Sequence, residues 1–89
     1  MTQRNDEPPD HELEQHLAAM GLRLRAARRR ADLTQEELAA LSGVDRGYIS
    51  RAEHGANITV LTLWHLARAL KMHAAELLDD RLRGDGQLS

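Results

Sequence analysis

The twenty residues Thr34–Glu53, TQEELAALSGVDRGYISRAE, constrain this chain more than any other stretch. Thr34 with Glu37 three residues on is a capping box, in which each side chain accepts a backbone N–H left free at a helix start. Leu33 before the cap and Leu38 beyond it are placed to close a hydrophobic staple that sets the entry angle of the chain. Leu38, Ala39 and Leu41 are expected to form the buried side of this helix. Gly43 stands where the helix must end in a left-handed residue. Val44 is then the buried residue of the turn, Asp45 caps the next helix, and Ile49 and Ala52 supply its inner face until Gly55 ends it. Two short helices therefore meet across a tight turn, each with its own start and stop.

The remaining sequence extends the same alphabet. Leu13, Leu17, Met20, Leu24, Ala27 and Ala31 recur at helical spacing, with Asp10 as a cap before them and Asp32 as the stop after them. Gly21 interrupts this stripe and is expected to divide it into a short leading turn and a main helix. Thr59 caps a fourth helix with Ile58 and Leu63 as staple and Leu63, Leu66, Ala67 and Leu70 as core stripe. A fifth helix is expected over about Ala74–Asp79, with Met72 and Leu77 as staple. No strand alternation or repeat is present. The expected fold is all-α: one compact five-helix domain over 10–79, a disordered acidic tail over 1–9 and a flexible tail over 80–89. A domain this small has a marginal core, which favours pairing with a second copy.

Composition narrows the chemistry. Cysteine is absent, so there is no disulfide framework and no thiolate, and a cytoplasmic location is expected. No apolar run is long enough to span a membrane, and MTQRNDEPPD has no signal-peptide pattern. His11, His16, His54, His65 and His73 fall in no ligand spacing, so no metal is expected. No glycine-rich phosphate loop or paired-carboxylate site emerges, so neither catalysis nor a cofactor is expected. The formal net charge is −2, but its distribution is uneven. Residues 20–78 carry nine Lys/Arg against six Asp/Glu, a balance of +3 between acidic flanks. That balance permits contact with phosphate.

The segments LTQEELAALSGV, YISRAEHG, TLWHLARAL and AAELL, in that order over about Met20 to Leu78, resemble the lambda-repressor-like (Cro/XRE-type) helix-turn-helix family. Within it, DRGYIS followed by ANIT resembles the restriction–modification controller proteins. The resemblance implies a DNA-binding regulator, a homodimer on operator half-sites of double-stranded DNA, whose second short helix enters the major groove. On matching positions, Arg46, Gly47, Ser50 and Arg51 would approach base edges, Arg46 as a bidentate partner of guanine and Arg51 as another or reaching a phosphate instead. Gly47 departs from the family, which often carries a side chain there. Gln35 and secondarily Thr34 would reach phosphate, as would Tyr48, His54 and Asn57. For Gln35 the competing reading is a plain capping-turn residue, Thr34 is mainly a cap, and for the others it is a solvated helix or loop face, or for Tyr48 half-buried packing against the second helix. Arg28 and Glu53 match a family salt bridge between the first and third helices, whereas Arg29 and Arg30 read as a solvated face. His73 stands where the family often caps the fifth helix with Ser or Thr. Trp64, off its helix's core stripe, forms with Leu61 and Leu78 a candidate dimer surface. The alternative for Trp64 is folding back on Leu13 or Leu17. Two other functions fit the same residues: the antitoxin of a toxin–antitoxin pair, and a protein-interaction module that has left DNA behind. Nothing in the sequence points to a small-molecule effector.

Overall fold

The computed structural model describes residues 11–79 and 81, which form five helices: α1 (His11–Arg30), α2 (Gln35–Ser42), α3 (Arg46–Glu53), α4 (Val60–Ala69) and α5 (Ala74–Leu78). No strand occurs among the described residues. The tails expected over 1–9 and 80–89 and the cap expected at Asp10 lie outside the described residues, Arg81 excepted. Helix α1 packs on α3 and α5, α2 on α3 and α4, and α4 on α5.

One apolar core joins these elements. Met20, Leu24 and Ala27 enter from α1, Leu38 from α2, Val44 from the turn, Ile49 and Ala52 from α3, Leu63, Leu66 and Ala67 from α4, and Leu77 from α5. Leu33, Ile58 and Met72, the residues expected to staple the starts of α2, α4 and α5, pack half-buried against this core. Thr59 accepts from the Thr62 backbone N–H at 3.0 Å and so caps α4. At α5 only half a capping box forms. Glu76 accepts from the His73 N–H at 3.3 Å, and the His73 side chain makes no capping bond.

Two expectations about packing are corrected. Gly21 does not divide α1, which is one helix from His11 to Arg30. Gly21 is buried, and a Cβ placed there would lie 2.5 Å from the Ala52 carbonyl oxygen and 2.7 Å from that of Glu53. The glycine permits backbone-to-backbone approach of α1 and the end of α3, and core burial holds the helix through it. Leu41 does not belong to the buried side of α2: it is 62% exposed, and only Leu38 of that helix is fully enclosed. Leu13 and Ala31, at the two ends of the α1 stripe, also face solvent.

Candidate nucleic-acid interface

The α2–turn–α3 unit is fixed by local chemistry and then by burial. Thr34 Oγ1 accepts from the Glu37 N–H at 3.0 Å while Glu37 Oε1 accepts from the Thr34 N–H at 2.8 Å, which closes the capping box. Gly43 takes φ +79°, a left-handed conformation that favours glycine, and its N–H bonds the Ala39 carbonyl. Asp45 Oδ2 then accepts from the N–H groups of Gly47, at 2.9 Å, and Tyr48, at 3.3 Å. With Leu38, Val44 and Ile49 buried around the turn, the outward direction of α3 is determined.

That outward side carries Arg46 and Arg51, both exposed, with Gly47 and Ser50 half-buried between them. The two arginines are held differently. Arg46 Nε donates to Glu36 Oε2 at 2.8 Å, across ten positions of sequence. The Glu36 carboxyl is held below the usual carboxylate range, first by a hydrogen bond from its own backbone N–H and further by the charge of Arg46. The Arg51 guanidinium stacks over the Tyr48 ring, 5.5 Å from its centroid. Gly47 has no side chain to read a base. A Cβ there would come to 3.0 Å from Asp45 Oδ2 and 3.6 Å from Arg51 Nη1, so the glycine leaves room for the capping carboxylate. Glu36 carries no distinguishing mark in the sequence; only the tertiary turn brings it to Arg46.

Beneath this face lies a buried ion pair. Arg28 Nε and Nη2 donate to Glu53 Oε2 and Oε1 at 2.6 and 3.0 Å, and Arg28 Nη1 donates to the Leu33 carbonyl at 2.8 Å. Burial alone would raise the Glu53 pKa, but the hydrogen bonds from Arg28 and Gln35 hold it below the usual range. The hydrogen bond to Glu53 likewise raises the Arg28 pKa. Gln35 is part of this network: its amide Nε2 donates to Glu53 Oε1 at 3.1 Å, so the first residue of α2 is tied to the last residue of α3. Thr34 and Asn57 are exposed, as are Arg29 and Arg30. Tyr48 is half-buried and packs against the core. His54 is exposed at the end of α3, with Nδ1 2.8 Å from the Ser50 carbonyl oxygen.

A separate apolar surface lies where α4 begins. Leu61 and Trp64 are exposed, as is Leu78 on α5, and the structure adds Val60 and Leu41. Arg68 stacks over the Trp64 ring at 5.1 Å. Trp64 borders one hollow with Leu41 and Ser42 of α2 and another with Met72 and Ala74. Of its two alternative partners on α1, Leu13 is exposed and Leu17 packs half-buried against the core. Among the described residues no cluster of His, Asp and Glu is placed to hold a metal, and no helix is long and apolar enough to cross a membrane.

Known proteins are similar to this chain in sequence and fold. The helix-turn-helix family model matches residues 24–77. An uncharacterized HTH-type transcriptional regulator of Sinorhizobium fredii, y4dJ, is 48% identical over 52 residues, which span 57% of this chain and 68% of that protein. The crystal structure of the restriction–modification controller protein C.AhdI from Aeromonas hydrophila superposes with a TM-score of 0.69 at 41% identity, covering 71% of this chain and 97% of that one. The hypothetical transcription factor NHTF from Neisseria gives a TM-score of 0.67 at 34% identity, covering 97% of this chain and 94% of that one.

Proposed function

The chain belongs to the helix-turn-helix family of transcriptional regulators, a family of DNA-binding proteins rather than enzymes, and on that premise we propose that it binds operator DNA sequence-specifically as a homodimer. The observation that carries this reading is the outer face of α3, where Arg46 and Arg51 stand exposed on a helix fixed from beneath. In the major groove, Arg46 bonds guanine O6 and N7, Arg51 a second base or a phosphate, and Ser50 the edge between them. Gly47 contributes close approach in place of a contact. Thr34 and Gln35 at the start of α2, and Tyr48, His54 and Asn57 around α3, meet the phosphate backbone. The dimer sets two such helices about 34 Å apart, one helical turn of DNA. The 41% identity with C.AhdI favours a role as controller of a restriction–modification system in the cytoplasm.

Selection of bound sequences from a random duplex pool tests this directly. The expected product is a two-fold symmetric site with half-sites one helical turn apart. Arg46→Ala should lose about 1–3 kcal/mol of discrimination at one base position per half-site. Retention on random duplex should fall steeply with salt, as counterions released from neutralised phosphates require. A protein that enriches no sequence and is not retained on DNA even at low salt is an interaction module, and the DNA reading then fails.

A further inference from the structure

The contact between Glu36 and Arg46 is not needed by the fold. Both side chains are more than half exposed, and an ion pair so placed adds little to stability. Leu38, Val44 and Ile49 already fix α2 against α3. Yet the pair joins the first turn of α2 to the first residue of α3, in the middle of the face proposed to meet DNA. A carboxylate there is unfavourable beside phosphates unless it does something for its neighbour.

The geometry shows what that is. A guanidinium has five N–H donors in a rigid plane. In Arg46 the Nε–H is engaged by Glu36 Oε2 at 2.8 Å. Among the described residues no other hydrogen bond is made by Arg46, so the Nη1 and Nη2 donors at the far end of the plane stay open. A guanine presents O6 and N7 side by side, a match for two parallel donors. An arginine anchored at Nε meets that edge with its plane already oriented, whereas a free one has to lose side-chain rotamer freedom on binding.

We infer that Glu36 is a positioning residue for base recognition, holding the Arg46 guanidinium through Nε so that its two terminal nitrogens face a guanine edge. Glu36 itself touches no base. The inference rests on the proposal that Arg46 reads a base, and it adds a residue on the other helix to the specificity of that position. It also separates affinity from selectivity. Removing the carboxylate removes a negative charge from the DNA face, so binding to random duplex strengthens while choice at one base weakens.

The test uses the full chain and the site recovered by pool selection. Wild type, Arg46→Ala, Glu36→Ala and Glu36→Gln are titrated against that site and its single-base variants, with random duplex alongside. Glu36→Ala is expected to lose about tenfold of discrimination at the same base pair as Arg46→Ala, within the span of a bidentate arginine–guanine contact. It should bind random duplex at least as tightly as wild type. Glu36→Gln, whose amide oxygen still accepts from Nε, should recover part of the discrimination. In the free protein, side-chain 15N NMR should show Arg46 Nε–H protected from exchange in wild type and unprotected in Glu36→Ala. Full discrimination by Glu36→Ala while Arg46→Ala loses its own overturns the inference and leaves the Arg46 reading intact. A loss at a different base pair also overturns it, because Glu36 then makes its own contact. If Arg46→Ala loses no preference anywhere, the reading of Arg46 fails and the inference falls with it. Glu36 and Arg46 are both exposed, and circular dichroism of each variant verifies that the helices remain.

Discussion

Gly21 sets two residue-scale effects against each other. In an exposed helix interior, alanine is preferred to glycine by about 1 kcal/mol. At position 21 the methyl group would stand 2.5 Å from the Ala52 carbonyl oxygen and 2.7 Å from that of Glu53, and both obstacles are backbone. Overpacking of that kind costs about 1–3 kcal/mol, so the clash outweighs the propensity gain. Gly21→Ala is therefore expected to lower the urea midpoint, with the denaturant slope unchanged; a higher midpoint refutes the close-approach account. The same carbonyls end α3, so the substitution should also weaken operator binding. Glu53 obeys a different rule. Its carboxylate is buried against Arg28, and Glu53→Gln leaves that arginine without its counter-charge, at a cost of about 3–5 kcal/mol near neutral pH. Because the folded-state pKa of Glu53 is lowered, this stability is present above the unfolded carboxylate range and is lost as pH falls through the folded value. The stability gap between wild type and Glu53→Gln should accordingly narrow below about pH 4, near the unperturbed glutamate value, and unfolding curves over that range measure it.

At the scale of the element, the helices are specified by how they stop. Helices α1, α3 and α4 end alike, each with a backbone bond reaching back five residues: Leu33 N–H to Arg28, Ala56 N–H to Arg51 and Met72 N–H to Ala67. Each such end needs one left-handed residue, and the chain supplies Asp32 at φ +63°, Gly55 at +96° and Lys71 at +59°. Lysine is the costly choice, since its Cβ crowds the following carbonyl. Lys71→Gly should raise stability by about 0.5–1 kcal/mol, the relief of that strain less the extra freedom glycine has when unfolded, and thermal unfolding decides the sign. These ends also show which parts of the fold are legible in sequence. Thr34 with Glu37, Asp45, Thr59, Gly43 and Gly55 announce their roles because a cap or a turn depends on residues within reach along the chain. Lys71 announces nothing, because a lysine adopts that turn only where tertiary packing holds it. Gly21 is read as a break for the same reason: its partner, the end of α3, is brought to it only by folding. Leu41 looks like core from its spacing alone, yet the narrow face of a two-turn helix is filled by Leu38. At the site, the residues of α3 and the Arg28–Glu53 pair follow from motif positions, whereas the Glu36 contact with Arg46 arises from the angle at which two helices cross.

For the whole molecule, the open matter is what covers the start of α4. Leu41 at 62%, Val60 at 81% and Trp64 at 46% exposure, with Leu61 beside them, leave large apolar groups in water on a domain whose core is small. Aromatic and aliphatic side chains so grouped are characteristic of a protein contact, and Trp64 supplies the large anchor that such contacts favour. The proposed homodimer would seat a second copy there. Two consequences can be measured without DNA. The thermal midpoint should rise with protein concentration, because association removes folded monomer from the equilibrium. Leu61→Lys should convert the dimer to monomer in sedimentation velocity, since a lysine ammonium at a closed apolar contact is left unpaired. Leu78→Lys on α5 separates the candidates: a dimer that survives it but not Leu61→Lys is built on α4, and the reverse outcome moves the interface to α5. If both variants stay dimeric, the surface around Trp64 is not the dimer contact. Should Leu61→Lys be monomeric, its operator binding should become steeply concentration-dependent while its base preference at each half-site is retained, because the reading residues of α3 are untouched.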